Sequence, residues 1–170
     1  AQIHLWGEVL AAIYEAHIEA GMLPGQKAAY HPYSAWFVLG ELVQRLDGRK
    51  FDKYVREEIF LPLEMWDCYV GMPRETFQRY NAEGRFAELR TMTAKGKIVS
   101  KATVGTAPNE VMACVPGSNG RGPATEMLQL FEMLTRGGVG RDGTRVLKPE
   151  TVAKFTRRHR VGMFDAVQGI

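Results

Sequence analysis

Tyr30 and His31 stand side by side ahead of Pro32. Together they put a phenol and an imidazole, two groups able to donate and accept protons, at the start of an apolar helical stretch. A tyrosine phenol has a reference pKa of about 10, so ionising one at pH 7 costs roughly 4 kcal/mol unless nearby cations lower it. A proton-shuttling tyrosine therefore needs cationic partners, and by pattern alone Tyr30 reads rather as a residue that caps the start of a helix. His31 is placed to reach the same pocket or to hydrogen-bond the turn at Pro32. Asn119, in the run Pro116-Gly117-Ser118-Asn119-Gly120-Arg121-Gly122, reads by pattern as a plain turn residue, since Asn-Gly is itself a turn signal.

Other chemistries lack their residues. Gly138-Val139-Gly140-Arg141-Asp142-Gly143 has the letters of a dinucleotide fingerprint, but it follows a helical stretch and leads into Thr144-Arg145-Val146-Leu147. A phosphate-cradling loop must instead follow a strand and open a helix. His4, His17, His31 and His159 are scattered without an H-E-x-x-H, so no metal site is expected. Cys68 and Cys114 show no C-x-x-C spacing, which removes thiol redox and metal chemistry and favours a reducing compartment such as the cytoplasm, with one disulfide left open. There is no G-x-S-x-G elbow either.

The elements that must position these groups read as mostly helical. With 45% hydrophobic and 24% charged residues over 170 positions, the chain has the composition of a globular domain rather than of a disordered or collagen-like one. Its apolar runs fall well short of the roughly 20 residues a membrane helix needs, so no membrane partner is expected. The net charge of +3 is spread along the chain. Its one cluster, Arg157-Arg158-His159-Arg160, reads as the solvated end of a helix, and no nucleic-acid partner is expected.

Leu5, Trp6, Val9, Leu10 and Ile13 share a helical face, with Gly21 and Pro24-Gly25 as the stop and turn. A second helix is expected from Tyr33 to Leu46, where Trp36, Phe37, Leu39, Leu42, Val43 and Leu46 form a broad stripe read as well buried and closed by Asp47-Gly48. Trp36 and Phe37 belong to that core, lining of an acyl pocket being the alternative. Phe51, Tyr54, Val55, Ile59 and Phe60 predict a third helix ending before Pro62. Short strands are expected at Cys68 to Val70, Lys97 to Val99 and Val111 to Val115, with a short helix from Arg74 to Tyr80 and irregular chain over much of 82–115. Pro123 opens a further helix with Met127, Leu128, Leu130, Phe131 and Leu134 on its apolar face, closed by Gly137-Gly138. A last helix follows Pro149, with Val152 and Phe155 facing inward. No internal linker or repeat appears, so residues 1–170 are read as one domain.

Within this frame, Tyr30-His31-Pro32-Tyr33-Ser34-Ala35-Trp36-Phe37-Val38-Leu39-Gly40 resembles the tyrosine motif of the β-lactamase-related esterases, in the form opened by Tyr-His. The following Glu41 to Arg49 is similar to that family's next helix. Ile59-Phe60-Leu61-Pro62-Leu63-Glu64-Met65 resembles its Pro-Leu-Gly-Met ending, with Glu64 where the family usually has glycine. The Pro116–Gly122 loop, the helix from Thr125 to Leu134, Gly137-Gly138 and Lys148-Pro149-Glu150-Thr151-Val152 follow in the family's order. The resemblance covers most of the chain and implies the β-lactamase and penicillin-binding-protein superfamily of serine hydrolases.

In that superfamily the nucleophile is the serine of a Ser-x-x-Lys motif ahead of the tyrosine, and a later Lys-Thr-Gly or His-x-Gly segment completes the oxyanion side. Ser34, Ser100 and Ser118 are followed three positions on by Phe37, Thr103 and Arg121, so none forms that pair. The chain is therefore read as an incomplete internal part of a longer protein. Its expected fold is mainly α with a few short strands, the helical region of an α/β serine hydrolase of this type, and in isolation it is expected to be inactive. By resemblance Tyr30 accepts the serine proton during acylation and returns it to the leaving group, while the loop of Asn119 lies near the rim of the active site, which makes Asn119 a candidate substrate contact. A small-molecule ester or amide is the expected substrate, with no metal or organic cofactor and with the remaining segments of the longer chain as partner. An esterase is favoured because Tyr-His departs from the Tyr-x-Asn pattern of true lactamases. A non-catalytic helical protein-binding module is the alternative.

Overall fold

In a computed structural model, residues 5–18, 20–21, 29–87, 90–92, 96–101, 107–159, 161–162, 164–165 and 169 are described. Helix α1 spans Trp6–Glu15, α2 Ser34–Asp47 and α3 Phe51–Val55. After the short strand β1 (Tyr69–Val70) come α4 (Arg74–Ala82), β2 (Arg90–Met92), β3 (Ile98–Lys101) and α5 (Pro108–Met112). Strand β4 (Gly120–Arg121), α6 (Ala124–Thr135) and α7 (Pro149–Thr156) complete the order. The strands pair antiparallel in twos, β1 with β4 and β2 with β3. The architecture is the expected one, mainly helical with a few short strands. The expected turn at Pro24-Gly25, together with His4, Arg160 and parts of the irregular 82–115 stretch, lies outside the described residues.

Helix α2 forms where its sequence predicts it and stops for the predicted reason. Gly48 takes the left-handed conformation at φ 88° and its N–H bonds the Gln44 carbonyl at 2.8 Å, a geometry glycine adopts without a β-carbon penalty. Arg49 then ties the turn to the next helix, its guanidinium bonding Asp47, Glu57 and Glu58. Phe37 is fully buried against Leu10, Ala113 and Val115. The Trp6 ring packs on it at 4.9 Å between centroids and donates its indole N–H to Glu41 at 2.9 Å. Helix α1 is shorter than the sequence suggests, ending at Glu15 rather than running to Gly21.

Four expectations need correction. The third helix does not end before Pro62: α3 passes into a π-helical turn at Arg56–Phe60 and then a 3-10 turn at Leu61–Leu63. Proline lies in the first turn of that tighter segment, where its missing N–H has no helical partner to lose. Arg56 secures this exit by donating to the carbonyls of Met65, Trp66 and Cys68 at 2.9, 2.7 and 3.0 Å. The strand expected at Val111 to Val115 does not form: Val111 and Met112 are the last residues of helix α5 and 113–115 are irregular, because Pro108 opens a helix and the Glu110 carboxylate folds back onto the Ala107 N–H at 3.2 Å. Phe155 does not face inward; it is 68% exposed while Val152 is buried. The α2 stripe is not well buried: Trp36, Leu39, Leu42 and Leu46 are all exposed, and Phe37 and Gly40 are the helix's buried residues.

The core divides into neighbouring clusters. One joins Val55, Phe60, Leu63, Met65, Cys68 and Met133 between the third helical segment and α6. Another joins Met72, Tyr80 and Val111 between α4 and α5. Beside it the Tyr80 hydroxyl donates to the Asp67 carboxylate, which also takes a 2.5 Å ion pair from Arg85. The Tyr80 hydroxyl first, and then Arg85, hold the Asp67 carboxyl below its ordinary pKa.

Candidate functional site

The turn at residues 29–33 that carries Tyr30 leads directly into α2. Pro32 offers no N–H, and the first helical bonds come from Trp36 and Phe37 to the Tyr33 carbonyl at 3.1 and 3.2 Å. Tyr30 is 52% exposed, and among the described residues no side chain bonds its phenol. What holds Tyr30 is its backbone, whose N–H donates to Oδ1 of Asp165 at 3.2 Å across 135 residues of sequence. Asp165 is itself buried. His31 is exposed beside Tyr30, so the phenol and imidazole are both turned to solvent at the head of α2.

The glycine-bearing loop packs onto this turn. The bare Cα of Gly117 lies against the Pro32 carbonyl and the Trp36 ring, where a β-carbon would stand 2.5 Å from Trp36 Cδ1. One helical turn on, a β-carbon at Gly40 would meet Trp6 at 2.8 Å and Pro116 at 3.2 Å. The tyrosine turn and the loop that begins at Pro116 therefore form one packed unit. Asn119, in the same loop, is 6% exposed. Its amide nitrogen donates to the carbonyls of Glu110 and Ala113 at 2.8 and 2.5 Å, and its oxygen accepts from Arg121 at 2.8 Å. Its side chain is engaged in joining α5 to β4, away from solvent.

The structure brings Tyr30 and His31 together and places Asn119 in the interior of the loop that packs against their turn. Asp165, which the sequence does not single out, joins them. A carboxylate with no neighbouring acid, histidine or motif letter carries no local signal, and its contact with Tyr30 exists only after folding.

Among the described residues, the remaining reactive groups give no second centre. Cys68 and Cys114 are free, and burial pushes each thiol up to about 12. They stay protonated at neutral pH, whereas nucleophilic cysteines need a lowered pKa. A cavity of about 480 Å³ lies between Trp6, Gln44, Lys50, Asp52, Met112 and Cys114, within the size range of small-molecule sites, but Tyr30 does not line it. Among the described residues no group of three His, Cys, Asp or Glu is placed to hold a metal, and no helix is long and apolar enough to cross a membrane. His159 is occupied by the Lys154 carbonyl at 2.7 Å, just past the end of α7.

Residues 4–168 match the sequence profile of the family described as Beta-lactamase. The chain belongs to the Beta-lactamase family. Solved structures agree with this at the level of fold. The Beta-lactamase chain is similar to a penicillin-binding protein homologue from Caulobacter crescentus, at 24% identity and a TM-score of 0.75, over 100% of its own length and 47% of that chain. It is similar to EstA from Arthrobacter nitroguajacolicus Rue61a, at 18% identity and a TM-score of 0.70, over 99% of its own length and 47% of that protein's. It is also similar to simvastatin synthase (LovD) from Aspergillus terreus, at 22% identity and a TM-score of 0.64, over 92% of its length and 37% of that chain. The chain thus spans less than half the length of each of these relatives. No curated protein sequence matches it.

Proposed function

We propose that this chain is the helical part of a serine hydrolase that cleaves a small-molecule ester, or an amide, through an acyl-serine intermediate. The observation that carries the reading is the family match over residues 4–168 together with the position of Tyr30, whose backbone is anchored and whose phenol is presented to solvent at the head of α2. The nucleophilic serine and its lysine belong to segments outside these 170 residues. In acylation the serine oxygen attacks the carbonyl carbon, its proton passes to Tyr30, and Tyr30 returns that proton to the leaving group as the scissile bond breaks. His31, exposed beside it, lies on the substrate side. Asn119 serves to hold the loop that Tyr30's turn packs on. The 170-residue chain alone does not turn over substrate.

The exposed face of α2 supports the view that more chain belongs to this fold. Val38, Leu39, Leu42 and Leu46 fall at helical spacing on one side and are 46%, 52%, 52% and 79% exposed. A contiguous apolar stripe calls for cover, and the remaining segments of the longer protein are the cover we assign. The same stripe favours a second reading, a non-catalytic helical module that docks a partner protein.

Steady-state hydrolysis of p-nitrophenyl acetate and butyrate by the longer protein separates the two. The hydrolase reading expects turnover by that protein, a severe loss in its Tyr30→Phe variant and none by the 170-residue chain. An inert longer protein favours the docking module.

A further inference from the structure

We propose that Asp165 is a positioning residue for Tyr30, acting through the tyrosine's backbone; this rests on the reading of Tyr30 as the proton shuttle. Three observations carry it. Asp165 is 9% exposed, and its Oδ1 accepts the Tyr30 N–H at 3.2 Å. A carboxylate taken out of water is retained only where hydrogen bonds compensate it, and a charged acceptor makes one of the stronger bonds to a backbone N–H.

Second, the turn has few other means of being fixed. The Tyr30 phenol bonds no described side chain, Pro32 has no N–H to give, and the helical bonds of α2 begin only at Trp36. Among the described residues, Asp165 provides the one side-chain hydrogen bond to the backbone of residues 29–33. Third, the far side of the turn is already fixed, because Gly117 packs against the Pro32 carbonyl and Trp36. Asp165 fixes the Tyr30 end. With both ends held, the direction of the Tyr30 Cα–Cβ bond is set before substrate arrives. Releasing the Tyr30 end lets the phenol drift, and a displacement of about 1 Å costs on the order of 100-fold in rate.

The test is a double-mutant cycle in the longer protein with Asp165→Ala, Tyr30→Phe and both together, read as kcat and KM for p-nitrophenyl butyrate. Asp165→Asn is the conservative control, since it keeps an oxygen acceptor and guards against simple misfolding. Hydrogen exchange of the Tyr30 amide provides a readout independent of turnover. The expected result is a fall in kcat of about 10- to 100-fold for Asp165→Ala with KM little changed. Asp165→Asn restores most of the rate, Asp165→Ala adds nothing in the Tyr30→Phe background, and Tyr30 amide protection falls in Asp165→Ala alone. If Tyr30→Phe cripples the enzyme while Asp165→Ala is silent, or its loss is fully retained in the Tyr30→Phe background, the positioning role is overturned and the shuttle stands. An unimpaired Tyr30→Phe enzyme overturns both.

Discussion

Gly117 lies so close to Pro32 that a β-carbon at position 117 would overlap the Pro32 carbonyl oxygen and stand 2.5 Å from Cδ1 of Trp36. The neighbours it would strike are backbone and a ring at the head of α2, neither of which yields easily. Gly117→Ala is therefore expected to shift the Tyr30 turn, lowering stability by about 1–3 kcal/mol and ester turnover by the longer protein at least tenfold. Gly120→Ala is the matched control, because a β-carbon there meets nothing within 4 Å. Thermal melts and turnover that do not distinguish the two variants would show that the loop and the turn are not mechanically joined.

Asn119 allows its two readings to be separated. Truncation to alanine strands the Glu110 and Ala113 carbonyls that its amide now satisfies, which costs about 1–3 kcal/mol. Asn119→Ala is expected to lower the melting temperature while leaving KM of the residual folded enzyme unchanged. A raised KM at unchanged stability would return Asn119 to the substrate.

Glu64 is, among the described residues, the one non-glycine with positive φ, at 56°. It closes the 3-10 turn at Leu61–Leu63 by bonding the Leu61 carbonyl at 3.0 Å. A left-handed conformation strains a residue with a β-carbon, so Glu64→Gly is expected to stabilise the chain by about 0.5–1 kcal/mol. That corresponds to a rise in Tm of a few degrees. A Glu64→Gly variant melting below the wild type would mean that the glutamate side chain outweighs its backbone strain.

Asp67 provides a pH test. The Tyr80 hydroxyl and the Arg85 guanidinium depress its folded pKa, whereas the unfolded value lies near 4. Its contribution is therefore present above about pH 4 and is lost as pH falls through the depressed folded value. Asp67→Asn should melt below the wild type at pH 7, and the gap should close as acidification protonates the folded-state carboxylate. A gap that stays constant on acidification would place the stabilisation in packing rather than in the carboxylate.

The helices were the legible part of this fold, because each carries its own signal. The stripe of α2 with Gly48 behind it, Pro123 ahead of α6 and Pro149 at the start of α7 mark their elements locally. Val111 to Val115 misled because its valines suggest a strand, while Pro108 and the Glu110 cap decide for a helix that runs through Val111 and Met112. Periodicity shows that α2 has an apolar face but not what covers it, so Leu39, Leu42 and Leu46 read as core and proved exposed. Tyr30 was visible only through its resemblance to a family motif. Asp165 was not visible, since a contact spanning 135 residues leaves no trace in local spacing, and the burial of Asn119 followed from the three-dimensional meeting of α5 and the Pro116 loop.

The most direct measurement is the acylation step itself, followed as the burst of p-nitrophenol released when the longer protein is mixed with excess p-nitrophenyl butyrate. General acid–base groups contribute about 10²- to 10⁴-fold. The wild type should therefore show a rapid burst and the Tyr30→Phe enzyme an acylation phase slowed at least about 100-fold. A Tyr30→Phe enzyme that acylates at the wild-type rate would contradict the assignment of Tyr30 as the proton shuttle.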